Sequence, residues 1–134
     1  MNVATRLLVV VVLLFAKPTF AQTPNEAAIR SVISSQLDAL NRGDQTTAFA
    51  LASPMIQQMF QDAPTFMAMI ERGYPQVLRS RTHRFLGLIA ADGHLVQRVL
   101  IESDAGTVVG NYEMVEIDGA WRINGVRFDP AGGA

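Results

Sequence analysis

Two Asp-Gly dipeptides, Asp92-Gly93 and Asp118-Gly119, lie between runs rich in β-branched and aromatic residues, and they constrain this chain more than any other feature. Asp-Gly suits the two-residue type I′ hairpin, in which both central positions take positive φ. With a third turn at Asp104-Ala105-Gly106, they divide the second half into strands at about 77–91, 94–102, 107–117 and 120–128, with a break near Arg81. Gly87, Gly110 and Gly125 fall inside these runs. Glycine there marks a bulge or bend, so the expected sheet is a curved antiparallel meander.

The first half carries the helical period instead. Thr23-Pro24-Asn25-Glu26 reads as a capped start, followed by Ile29, Val32, Ile33, Leu37 and Leu40 at helical spacing until Gly43. Asp44 caps a short helix running to Ala52, and Ser53-Pro54 restarts the chain with Met55, Ile56, Met59 and Phe60 on the next one. A further helix spans about Pro64 to Arg72. Gly73-Tyr74-Pro75 reads as its Schellman end, with Gly73 left-handed and Tyr74 packed back on Met69. Helices followed by a meander define an α+β domain, with N-terminal helices packed on one face of the sheet.

Counting outward from the second hairpin loop pairs Ile117 with Ala120, Glu116 with Trp121, Val115 with Arg122, Met114 with Ile123, Glu113 with Asn124 and Tyr112 with Gly125. The first loop pairs Ala91 with His94, Leu86 with Val99, Phe85 with Leu100, His83 with Glu102 and Arg81 with Asp104. Both faces of this first hairpin are largely apolar, so both need cover, which a homodimer through the sheet would supply.

Residues 1–21 have the three-part pattern of a secretory signal: Arg6 near the start, ten apolar residues from Leu7 to Ala16, and small residues at Thr19 and Ala21. As a helix the apolar run spans about 15 Å, half of the roughly 30 Å a membrane requires. Cleavage after Ala21 leaves residues 22–134, one domain with no stable membrane anchor, placed in the periplasm or secreted. The chain has no cysteine and so no disulfide to staple it. Losing Arg6 and Lys17 from 11 basic residues leaves 9, all arginine, against 12 acidic, a net charge of −3. That balance argues against nucleic acid as a partner, because nucleic-acid binding needs clustered positive charge.

"AIRSVISSQLDALNRGDQTTAFALASPMIQ" followed by a meander ending in "GAWRINGV" resembles the nuclear transport factor 2-like superfamily of α+β cones. More closely, Phe66, Met69, Gly73, Tyr74, Pro75, Val77 and Arg79, with Ser53-Pro54 and Trp121–Val126, resemble domain-of-unknown-function family 4864, a family of short exported bacterial proteins. The resemblance covers residues 26–128 and implies the cone fold. It implies no activity, since the superfamily holds dehydratases, isomerases, small-ligand binders and scaffolds.

Four residues stand out as ligand-binding candidates. Tyr74 and Tyr112 offer hydroxyls to the interior of the cone, and Arg79 and His83 belong to a basic row in which Arg79 has no evident partner. A guanidinium at Arg79 would suit a carboxylate or phosphate. No nucleophile elbow, zinc-protease helix, phosphate loop or metal-ligand cluster occurs, so no catalytic residue, metal or cofactor is assigned. The expected function is non-enzymatic binding of a small apolar or anionic ligand between helices and sheet, or of a protein partner. The alternatives are a lyase or isomerase using His83 with Tyr74 or Tyr112, and a structural homodimer without a cavity.

Overall fold

The computed structural model describes residues 24–131. The leader, its cleavage point and the Thr23 cap lie outside the described residues. Five helices come first among those described: α1 (Pro24–Asn41), α2 (Gln45–Ala50), α3 (Pro54–Phe60), α4 (Ala63–Gly73) and α5 (Pro75–Leu78). Four strands follow, β1 (Ser80–Ala91), β2 (His94–Ser103), β3 (Gly106–Ile117) and β4 (Ala120–Pro130), in one antiparallel sheet of order β1-β2-β3-β4. The fold is α+β, helices on a meander.

Local chemistry sets the helix ends. Gly43 takes φ +72°, its N–H donates to Leu40 O at 3.2 Å, and Asp44 N–H donates to Ala39 O at 2.8 Å. This is a Schellman closure of α1. The next three helices each start on a side-chain oxygen that accepts an amide three residues on. Asp44 takes Thr47 N–H at 3.1 Å, Ser53 takes Ile56 N–H at 3.3 Å, and Asp62 takes Thr65 N–H at 2.7 Å.

The expected Schellman end at Gly73 does not form. Helix α4 runs through Gly73, which has no positive φ, and Tyr74 N–H still donates to Ile70 O at 2.8 Å. Pro75 disfavours helical dihedrals at the residue before it, so Tyr74 itself turns the chain, at φ −139° and ψ 51°. Proline also suits the first position of a helix. Pro75–Leu78 therefore form α5, and the strand expected from residue 77 begins at Ser80.

Both Asp-Gly loops are type I′ turns, with φ 51° at Asp92 and Asp118 and 79° at Gly93 and Gly119. The ladder follows the expected register from Ala91↔His94 and from Ile117↔Ala120 as far as Met114↔Ile123. Beyond that, bulges displace it. A shift after Glu113 sets Glu113 opposite Gly125 and Tyr112 opposite Val126, one residue from the expected partners. A shift between Phe85 and Leu88 sets Phe85 opposite Val99 and His83 opposite Ile101, and a third, between Ser80 and Thr82, falls at the expected break near Arg81. The bulges are stitched by side chains. Fully buried Gln97 donates through Nε2 to Leu86 O at 2.9 Å, and Asn124 donates through Nδ2 to Glu113 Oε1 at 3.1 Å.

The core lies between the helices and one face of the sheet. Ile29, Ile33 and Leu37 of α1 and Phe66 and Ile70 of α4 pack against Val99, Ile101, Tyr112, Met114 and Ile123. The α2–α3 link is pinned to β4 by backbone bonds, Ser53 N–H to Ile123 O at 2.8 Å and Ile123 N–H to Leu51 O at 3.0 Å. No helix among the described residues is long and apolar enough to cross a membrane.

Candidate functional site

Helix α1, helices α3 to α5 and the middle of β3 and β4 surround a cavity of about 230 Å³. Its wall is assembled from three local features. Proline-started α3 is too short to bury any residue fully, and it presents Ile56, Met59 and Phe60 to the space. Amphipathic α4 contributes Phe66, Met69 and Ile70. On the sheet side, Tyr112, Ile123, Val126 and Phe128 form the floor, and Gly125 leaves part of it without a side chain. The Phe66 ring meets Phe49 at 5.5 Å and Phe60 at 5.9 Å, and Tyr74 meets Phe128 edge-on at 5.2 Å. Aromatic contacts of this geometry hold the wall in shape. Met59 remains 62% exposed, which places α3 at the cavity's rim.

Tyr74 and Tyr112 therefore share one cavity. Tyr112 is 1% exposed and its hydroxyl makes no hydrogen bond to a described residue. Burial pushes its phenol above the ordinary tyrosine range, so it stays protonated throughout the neutral range. Its ring lies over Gly110, where a Cβ would come within 2.8 Å of Tyr112 Cε2, rather than over the expected Gly125.

Arg79 and His83 are not in this cavity. Arg79 is exposed at the end of α5 and makes no ion pair with a described residue. His83 sits on β1 against α1, with Nε2 3.0 Å from Ser34 Oγ and its ring edge-on to Phe85 at 5.4 Å. The expected Arg81–Asp104 pair does form, at 3.5 Å, between side chains about two-thirds exposed, where such pairs contribute little.

Gln36 was not among the residues expected at a site. It lines the cavity from α1, is 5% exposed, and donates through Nε2 to Ala48 O at 3.0 Å. A signal for it exists: Gln36 stands in register with Ile29, Ile33 and Leu40, a polar residue inside the apolar stripe. Phe128 and Val126 carried no such signal, because their place depends on the β4 bulge.

A second group of polar side chains crosses the sheet away from the cavity. The Ser53 hydroxyl donates to Asn124 Oδ1 at 2.7 Å, Asn124 donates to Glu113, and Glu113 Oε1 lies 3.3 Å from His94 Nδ1. Among the described residues, no three or more His, Cys, Asp or Glu side chains cluster so as to hold a metal ion. The cavity wall carries no Asp, Glu, Lys, Arg or His among the described residues. What this arrangement can do chemically is exclude water around an apolar molecule and offer it a few neutral hydrogen-bonding groups.

A protein-family model described as a domain of unknown function, DUF4864, matches residues 22–133. No curated protein matches the chain.

Proposed function

This chain belongs to the DUF4864 family, a domain of unknown function, and from that premise we propose that it is an exported, non-enzymatic module binding a small ligand between its helices and its sheet. The observation that carries the reading is the cavity, about 230 Å³ of space walled by five aromatic rings and two methionines. An open pocket of that size leaves apolar side chains against water, which an apolar occupant would displace. The leader pattern at residues 1–21 supports export. The order of helices before an antiparallel meander supports a place among the nuclear transport factor 2-like cones.

Native mass spectrometry of protein recovered from its own compartment tests this. The expected species is the chain from Gln22 carrying a small apolar molecule, and an Ile70→Trp variant, which fills the cavity, should lose it. Recovery of the bare chain alone, from wild type and variant alike, would overturn the reading.

The other sheet face supports a homodimer. Ile89 is 45% exposed there beside its cross-strand partner Val96. Light scattering after gel filtration should show a dimer that Ile89→Glu converts to a monomer. A monomeric wild type would remove this part.

A further inference from the structure

We infer that the ligand is neutral, mostly apolar, and carries one hydroxyl or carbonyl oxygen that pairs with the Tyr112 hydroxyl in the cavity. The inference rests on the binding reading above and narrows it, setting aside an anionic ligand for this site.

Three observations lead there. First, no lining residue is ionisable at neutral pH among those described, so a carboxylate, phosphate or ammonium would be buried without a counter-charge. Second, Tyr112 is almost fully buried and its hydroxyl has no partner among the described residues. Its oxygen is not among the side-chain atoms sealed from water without a partner, so it opens on the cavity, where an oxygen of the occupant can take the place of water. Third, the Gln36 amide is oriented by its bond to Ala48 O, which needs the NH2 group as donor. That leaves the Gln36 amide oxygen as an acceptor on the same cavity wall, with no partner among the described residues. Together these groups offer one donor and one acceptor, the complement of an alcohol or phenol. By proportion to the ~150 Å³ cavity that holds benzene, the space suits roughly nine or ten non-hydrogen atoms.

Three para-substituted ethylbenzenes test this on the mature chain by calorimetry: para-ethylphenol and para-ethyltoluene, which match in shape, and the larger anion para-ethylbenzoate. Para-ethylphenol is expected to bind about tenfold more tightly than para-ethyltoluene, the yield of one added hydrogen bond. Para-ethylbenzoate should bind more weakly than either. Tyr112→Phe keeps the ring and removes only the hydroxyl, so it should close the gap between phenol and toluene while leaving para-ethyltoluene unchanged. Equal affinities for the two in wild type, or a gap that persists in Tyr112→Phe, would overturn the inference and leave the cavity reading standing. Tightest binding of para-ethylbenzoate would overturn it as well. Isotherms that Ile70→Trp does not change, for any probe, would take down the inference and the cavity reading together.

Discussion

The Ser53 hydroxyl, 1% exposed, donates to Asn124 Oδ1 at 2.7 Å while accepting the Ile56 N–H at 3.3 Å. One side chain thus caps α3 and ties it to the bulged residue of β4. Since α3 forms the rim of the cavity, this contact joins the rim of the site to the sheet. Ser53→Ala removes both bonds and leaves the Asn124 oxygen short of a donor. The loss should be ~1–2 kcal/mol, the upper part of the range for a lost N-cap. Urea unfolding should show a lower midpoint with an unchanged slope. An unaltered midpoint would mean that the cap does not anchor the helix.

Gly110 and Tyr112 make a steric prediction. A Cβ at Gly110 would sit 2.8 Å from Tyr112 Cε2 and 3.3 Å from Phe128 Cε1, whereas one at Gly125 meets nothing within 4 Å. Both are strand glycines, so backbone propensity affects them alike. Gly110→Ala should cost ~1–3 kcal/mol by overpacking, about 4–8 °C of melting temperature for each kcal/mol in a domain this small. Gly125→Ala should leave the melting temperature nearly unchanged. Equal shifts in the two variants would contradict the placement of the Tyr112 ring.

The contrast between these glycines also shows what could be read from the sequence. The two Asp-Gly loops, the caps at Asp44 and Ser53, and the first few pairs of each hairpin all depend on residues close together in the chain, and all appear where local chemistry puts them. Register fails past the first bulge because a bulge is stabilised by distant partners: Gln97 for the one near Leu86, Ser53 and Glu113 for the one at Asn124. A slip of one position then moves everything beyond it. It sets Tyr112 opposite Val126, while its ring packs on Gly110, and sets His83 opposite Ile101, in reach of Ser34. The candidate site divides the same way. Tyr74 and Tyr112 reach the cavity from places that helix order and strand alternation make legible, whereas Phe128 and Val126 enter it through the bulge.

Acid should weaken two of the helix starts. Asp44 lies below the ordinary carboxylate range chiefly because the Thr47 hydroxyl donates to it at 2.7 Å, helped by the Thr47 amide. Asp62 is lowered by its bonds from Thr65. For a carboxyl lowered in the folded state, the stabilisation is complete above its unfolded pKa and disappears as pH falls through the folded value. Protection of the Thr47 and Thr65 amides, measured against the intrinsic exchange rate at each pH, should therefore fall below about pH 4. In Thr47→Val, the Asp44 carboxyl should titrate closer to its ordinary value by NMR, with Asp62 unmoved. A shift of both would point to a general charge effect in place of local caps.

Tyr112 responds at the opposite end of the pH scale. Burial raises its phenol above the ordinary value near 10. Between the two values the unfolded chain has released this proton while the folded chain keeps it, so the unfolded state binds fewer protons and stability falls as pH rises. The stabilisation is complete below about pH 10 and is lost progressively above it. Tyr112→Phe removes the titrating group, so its unfolding free energy should depend less on pH in that window than that of wild type. At neutral pH the hydroxyl makes no hydrogen bond to a described residue and is not sealed from water, so the variant's unfolding free energy should lie within about 1 kcal/mol of wild type. Guanidinium unfolding at neutral and alkaline pH measures both effects. A variant destabilised by more than that at neutral pH would mean that the hydroxyl is bonded within the free protein and is not open to an occupant.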